Sequence, residues 1–286
     1  MKRLCFYLLS VALLLSACSK DDDPVATTTN EPTHEDPSGG EEVAGMLPGV
    51  FSVSDSTTVR FSQGNLQYQP SSGTWRFAPN QWDFVGAPSQ TGLNGNKTPN
   101  GTIEGSDNAL ISTIGYSGWI DLFGWGTGNN PTQTSVFSED YTVFTDWGSV
   151  CGLGEGWRTL HADEWKYLRN RPGKSAWATV NEIHGIVMIP ESWTTPEGCA
   201  FVAGQDDGWN TNVYDKPAWA KMEQAGAIFL PAAGMRNNLA VYDVGIKVRY
   251  WSSKPGGPDH SFAYAGNEEY DQTTYRICGL SVRLVR

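Results

Sequence analysis

The chain has 286 residues, 39% of them hydrophobic and 18% charged, with 32 glycines and 12 tryptophans. So many aromatics need an interior, which excludes disorder throughout, and the glycine content argues against a helical bundle. A formal net charge of −11 argues against a nucleic-acid binder, which works through cationic surface.

Lys2 and Arg3 precede an apolar run from Cys5 to Leu15 that is too short for a stable membrane span. It ends in Leu15-Ser16-Ala17-Cys18, which resembles the lipobox of bacterial lipoproteins. The resemblance implies a signal peptide over residues 1–17 and palmitate-type lipidation at Cys18. Ser19-Lys20-Asp21-Asp22-Asp23 resembles the acidic export signal that sends lipoproteins of some anaerobic gut bacteria to the outer face of the outer membrane. A solvated charge run is the plain alternative. The expected address is the outer membrane, lipid-anchored and facing the cell exterior, with the membrane as a partner through the anchor.

Residues 18–45 read as an acidic disordered tether. Pro24, Pro32, Pro37, Gly39 and Gly40 sit among polar residues. Asp21, Asp22, Asp23, Glu31, Glu35, Asp36, Glu41 and Glu42 stand against Lys20 alone, so much of the acidity belongs here. Residues 46–286 keep 17 basic and 23 acidic residues and read as one domain, with an N-terminal β-hairpin subregion over 47–85. Its cysteines are Cys151, Cys199 and Cys278. Three cannot all pair, and their spacing fits no zinc site. One disulfide, or three buried thiols, are the alternatives, and the second is adopted.

Period-two alternation predicts strands over 50–53, 58–61, 65–68 and 74–77, with Pro70-Ser71-Ser72-Gly73 as a turn. Residues 86–108 read as a long loop. Residues 118–128 carry Gly118, Trp119, Gly124, Trp125, Gly126 and Gly128. The lysine of a phosphate loop is missing, so a packed aromatic loop with glycine backbone close under an indole is expected. A helix is predicted over 162–168, capped by His161 with Glu164 at the third position and Trp165 and Leu168 on one face. A second runs over 216–225, with Asp215 as cap, Pro217 in the first turn, Gly226 at the end, and Trp219 and Met222 inward. Further strands are expected over 185–189, 227–230, 249–252, 262–265 and 280–285. The class is α+β, with short antiparallel strands, two main helices, long loops and no internal repeat.

Four blocks carry a resemblance. They are Trp157-Arg158-Thr159-Leu160 with Glu164-Trp165 and Leu168; Leu230-Pro231-Ala232-Ala233-Gly234-x-Arg236; Tyr250-Trp251-Ser252-Ser253; and Arg276-x-x-Gly279-x-Ser281-Val282-Arg283-Leu284-Val285. With residues 121–128 they resemble the fibrobacter-type major paralogous domain family of bacterial surface lipoproteins. That family looks like a branch of the C-type-lectin-like fold shared with formylglycine-generating enzyme, also called sulfatase-modifying-factor-like. The C-terminal part also resembles the variable proteins of diversity-generating retroelements. That likeness implies a fixed framework of Gly234, Arg236, Gly245, Tyr250, Trp251, Ser252, Ser253, Arg276, Gly279, Ser281 and Arg283, with Trp157, Arg158, Glu164 and Trp165 as further scaffold. It implies ligand contact through Asn237, Asn238, Tyr242, Asp243, Lys247, Arg249, Lys254, Asp259, His260, Tyr275 and Ile277. Such a set suits a binding face, because Tyr offers area at low entropy cost and Asn, Arg and His offer adaptable hydrogen bonds. An ordinary solvated loop surface is the alternative.

Catalytic readings are weaker. Oxidase chemistry of the formylglycine-generating type needs a thiol pair near the C-terminus, and Cys278 stands alone there. His161, His184 and His260 are scattered, and no Ser or Cys sits in a nucleophile elbow. Glu191, Glu197, Asp206 and Asp207 offer carboxylates for glycoside cleavage, although Asp206-Asp207 reads better as the start of an exposed loop. Trp209-Asn210-Thr211 and Gly257-Pro258-Asp259 depart from the calcium-dependent sugar motif of lectins. The expectation is a non-catalytic recognition or adhesion module with no cofactor and no metal. It would bind an unknown protein or glycan and no nucleic acid. A structural fimbrial or matrix component is the first alternative, and a glycan-active enzyme the second. Asp55-Ser56-Thr57 resembles a three-residue O-glycosylation site of such bacteria, with a plain turn as its alternative.

Overall fold

A computed structural model describes residues 44–87, 106–204, 208–265 and 272–286. The signal peptide, Cys18, all of the tether but Ala44 and Gly45, most of the loop over 86–108, and Asp206-Asp207 lie outside the described residues. The early alternation becomes two hairpins. β1 (Phe51–Ser52) pairs antiparallel with β2 (Thr58–Val59), and β3 (Leu66–Gln69) with β4 (Thr74–Phe77). The turn at 70–73 closes the second, where Gly73 N donates to Gln69 O at 3.0 Å.

Among the described residues three α-helices follow: α1 (Trp147–Val150), α2 (Ala162–Arg169) and α3 (Lys216–Gln224). The first, a single turn capped by Asp146, was not foreseen and is too short to carry a sequence period. The end of the predicted long loop is likewise a 3-10 turn over Asp107–Leu110. At α2 the His161 side chain accepts from Asp163 N at 3.4 Å, and Glu164 Oε2 accepts from His161 N at 2.7 Å, closing a capping box. Trp165 and Leu168 are buried on one face. On α3 the Asp215 carboxylate accepts from Ala218 N at 2.9 Å, with Trp219 and Met222 inward.

The remaining strands are β5 (Arg158–Thr159), β6 (Ser175–Val180), β7 (Ile183–Met188), β8 (Val213–Tyr214), β9 (Ile228–Pro231), β10 (Met235–Asn237), β11 (Ala240–Tyr242), β12 (Arg249–Pro255), β13 (His260–Ala265), β14 (Gln272–Tyr275) and β15 (Leu284–Val285). The largest sheet has the order β8-β6-β7-β9, with β8 parallel to β6. β12, β13 and β14 form an antiparallel sheet, and β10–β11 and β5–β15 form antiparallel pairs. β6 was missed because alanine at 176 and 178 weakens its strand signal. Its partner β7 is joined through Asn181 and Glu182, both at positive φ, a two-residue hairpin turn. The predicted strand over 280–285 contracts to its last two residues. Leu280 and Ser281 instead make single bridges to Phe123 and Tyr250. The architecture is α+β, built of small sheets around few helices. Residues 42–286 form one unit of it. No helix of the described residues is long and apolar enough to cross a membrane.

Among the described residues three apolar clusters fill the interior. One holds Trp219, Met222, Phe229 and Tyr214 under α3. A second holds Phe61, Trp165, Tyr250 and Tyr264 under α2, with Trp165 stacked on Tyr264 at 4.8 Å. A third holds Phe123, Trp125, Trp147, Trp251 and Leu280. Burying each large aromatic contributes about 1.5–3 kcal/mol. The glycine-rich segment 118–128 is a packed loop, but its close approaches are not to indoles. Cβ atoms at Gly118 and Gly124 would strike the rings of Tyr116 and Tyr141.

That segment also carries Asp121, fully buried. Its carboxylate accepts from Val85 N at 2.7 Å and Asn108 Nδ2 at 2.9 Å, while Asn108 Oδ1 accepts from Asp121 N and Leu122 N. Burial pushes its pKa up to about 6, against these hydrogen bonds. Between the ordinary carboxylate range and about 6 the folded state therefore binds the proton that the unfolded state has lost. Folding stability falls as pH rises through this window, by about 3 kcal/mol in total. We expect Asp121→Asn to lack this dependence when urea denaturation is followed from pH 4 to pH 7. A variant with the wild-type slope would show that Asp121 is not its source.

Candidate functional site

The four resembling blocks, far apart in the chain, meet in one place. Trp251 N donates to Ser281 O at 3.0 Å, Ser253 N to Leu160 O at 3.0 Å, and Leu284 pairs with Thr159. Trp165 Nε1 donates to Trp251 O at 3.3 Å, and Trp251 Nε1 to Phe123 O at 2.7 Å. Arg158 and Glu164 form a two-pronged ion pair at 2.7 and 2.6 Å, which locks the N-terminus of α2 to β5. The Trp157 indole N–H reaches Leu153 O at 3.1 Å.

Arginines tie the backbone from inside. Arg276 donates from Nε to His260 O and Ser261 Oγ, from Nη1 to Tyr141 O and from Nη2 to Gly257 O, and it stacks on Trp125 at 4.3 Å. Arg236 is fully buried, and its Nε and Nη1 reach Leu122 O at 3.3 Å and Asn238 O at 2.8 Å. Burial lowers its pKa to about 10, and that of Arg283 likewise, so both stay charged at neutral pH. Gly279 bridges Arg236 backbone to backbone. A Cβ on it would stand 2.5 Å from Leu122 O and 2.9 Å from Arg236 Nε. Gly234, at φ +70, lies directly under the carbonyl of Tyr242.

This frame presents the β10–β11 hairpin outward. Asn237 pairs with Ala240, leaving Asn238 and Leu239 as a two-residue turn with Asn238 at φ +53. Asparagine tolerates that region because its amide can bond locally. Asn237, Asn238 and Tyr242 are exposed. Asp243, at φ +59, turns the chain back, and its carbonyl accepts from Ile246 N and Lys247 N. Arg249 Nη1 lies 2.6 Å from Met235 Sδ, which brings β12 against β10.

A second outward group sits where β13 and β14 pair. His260 lies opposite Tyr275, their rings 4.0 Å apart, and His260 Nδ1 is 2.6 Å from Asp259 Oδ1. Tyr275 is 52% exposed. Arg276, on the next position, donates its N–H to Asp259 O and so couples this group to the frame. Ile277 is half-buried in the turn closed by Cys278 N and Tyr275 O. Lys254 stands apart, its ammonium 3.2 Å from Asp163 on α2.

Several residues of this region carry no sequence signal. Tyr141, Gly257 and Leu122 serve it through their carbonyls, which any residue type supplies. Met235 is half-buried beneath Arg249, at an alternating strand position that was legible in principle.

Groups weighed for catalysis are placed otherwise. Burial would raise the Glu191 carboxyl, but Arg171 at 2.5 Å and Ser52 N outweigh it and hold the group below its ordinary value. A general acid needs the opposite shift. His161 is a helix cap. His184 bonds Gly245 O at 2.8 Å and stacks on Trp209 at 4.7 Å. Cys151, Cys199 and Cys278 are free, buried thiols. Burial raises the pKa of Cys151 and of Cys278, keeping both protonated near neutrality. Among the described residues no group of three or more His, Cys, Asp or Glu is placed to hold a metal ion.

Comparisons of the chain with protein-family models, with curated proteins and with solved structures returned no match.

Proposed function

We propose that this protein is a lipid-anchored surface recognition module of C-type-lectin-like fold that binds without catalysis. The observation that carries the reading is the contrast within residues 234–283. Framework side chains are buried and bonded to backbone, while the neighbouring Asn237, Asn238, Tyr242 and Tyr275 face solvent. Rigid support with exposed aromatic and amide side chains suits binding, because little order is lost on contact. The lipobox and acidic tether support an outer-membrane address, and the α+β class with short strands supports the finer fold assignment.

Array binding with the purified protein tests the function. We expect retention on a protein or glycan array, with Tyr242→Ala and Tyr275→Ala each weakening the affinity at least tenfold while thermal stability stays within about 0.5 kcal/mol of wild type. Assembly into fibres with no retained ligand would favour the matrix-component reading instead. For the address, labelled palmitate should enter the wild type and be absent from Cys18→Ala. Equal labelling of the two would refute the anchor.

A further inference from the structure

One layer of the interior is polar. Leu66 and Val282 lie side by side, Leu66 N donating to Val282 O at 2.9 Å, and both point into the third apolar cluster. On β3 Gln67 turns to the side opposite Leu66, and the buried Asn65, Ser281 and Arg283 flank Leu66 and Val282 in sequence. Tyr250, bridged to Ser281 and bonded through its hydroxyl to Asn65 Oδ1 at 3.0 Å, borders the same space. Asn65, Gln67 and Ser281 are 0% exposed and Arg283 is 1% exposed.

Their hydrogen bonding is one-sided. Arg283 Nη2 reaches Gln81 Oε1 at 3.0 Å and Gln63 O at 3.3 Å. Arg283 Nε and Nη1, Asn65 Nδ2 and Ser281 Oγ meet no partner among the described residues. Gln67 is answered at both ends: its Oε1 accepts from Arg76 Nε at 2.8 Å, and its amide N–H bonds the Asp121 carboxylate. The nitrogens of Arg283 are donors in any orientation. A buried donor, above all a charged one, is costly to leave unanswered, so several in one layer require an acceptor.

We infer that this layer is an internal hydration site, in which ordered water molecules accept from Arg283, Asn65 and Ser281. Water suits the place better than an anion. The buried Asp121 carboxylate, bonded by Gln67, raises the pKa of Tyr250 where Arg283 lowers it, so a negative charge already stands near that hydroxyl. Glu223 accepts from Gln81 Nε2 at 2.8 Å, and its charge acts on Arg283. An anion would be repelled from both flanks, whereas water can accept from the guanidinium and donate toward a carboxylate. The inference does not rest on the recognition reading, since every group involved is interior.

Crystals of the protein soaked in sodium bromide, with data recorded at the bromine absorption edge and at a resolution that shows ordered water, test it. The expected result is density within hydrogen-bond distance of Arg283 Nε or Nη1 and of Asn65 Nδ2 or Ser281 Oγ, with no bromine signal. A bromine peak there would overturn hydration in favour of an anion site. Direct pairing of these side chains with one another or with backbone, with no density between them, would overturn it as well.

Discussion

Replacing Arg276 by alanine should lower folding stability by about 3–5 kcal/mol, a melting temperature lower by roughly 10 °C. The guanidinium answers the carbonyls of Tyr141, Gly257 and His260 and the hydroxyl of Ser261 at once. Alanine leaves all four acceptors without that donor and removes the cation from the face of Trp125. The damage is not local, because the tied segments are the loop before α1, the β12–β13 connection and the start of β13. Arg276→Lys should recover little of the loss, since one ammonium cannot reach four acceptors spread around a plane. Thermal denaturation of the three proteins checks this. A fall of under about 2 °C in Arg276→Ala would mean that the backbone ties are replaced at no cost, and the frame described above would be wrong.

Gly234→Ala should destabilise by about 3 kcal/mol or more and loosen the β10–β11 hairpin. Two terms add. A Cβ at φ +70 costs about 1–2 kcal/mol by itself. The same Cβ would press into the carbonyl of Tyr242 and stand 2.9 Å from the carbonyl carbon of Asp243, and backbone cannot rotate away as a side chain can. The strand must move, and it carries Tyr242 of the proposed binding face. Hydrogen exchange over 235–242 should therefore rise along with the loss in urea stability. Gly257→Ala is the control. A Cβ there meets nothing within 4 Å, so an effect within about 0.5 kcal/mol is expected. Equal effects at the two glycines would show that steric contact at Gly234 is not the cause.

The helices show how much was legible and why. α2 and α3 were readable to within one residue because their signals are local: a cap, a charged first turn, two inward residues one turn apart. β3 and β4 were readable for the same reason, through strict alternation and an intervening turn. β6 and α1 were not, the first because alanine hides its pattern and the second because one turn has no period. At the candidate site the sequence marked Arg236, Trp251, Arg276 and Gly279 by resemblance, but not what they hold. Their partners are backbone carbonyls, and a carbonyl has no letter.

The sequence alone determined the class of the domain, the capped helices, the acidity of residues 18–45, and the surplus of aromatics that had to be buried. Those properties follow from short-range chemistry and composition. Only the tertiary structure decided that the four blocks converge, that the three thiols stay unpaired, and that Asp121 sits in a closed interior with its pKa raised. It alone separated Lys254, bound to α2, from Tyr242 and Tyr275, which face solvent. The physical reason is that burial and partner choice are set by residues more than a hundred positions away, as when Arg276 meets Tyr141, and no local pattern records that distance.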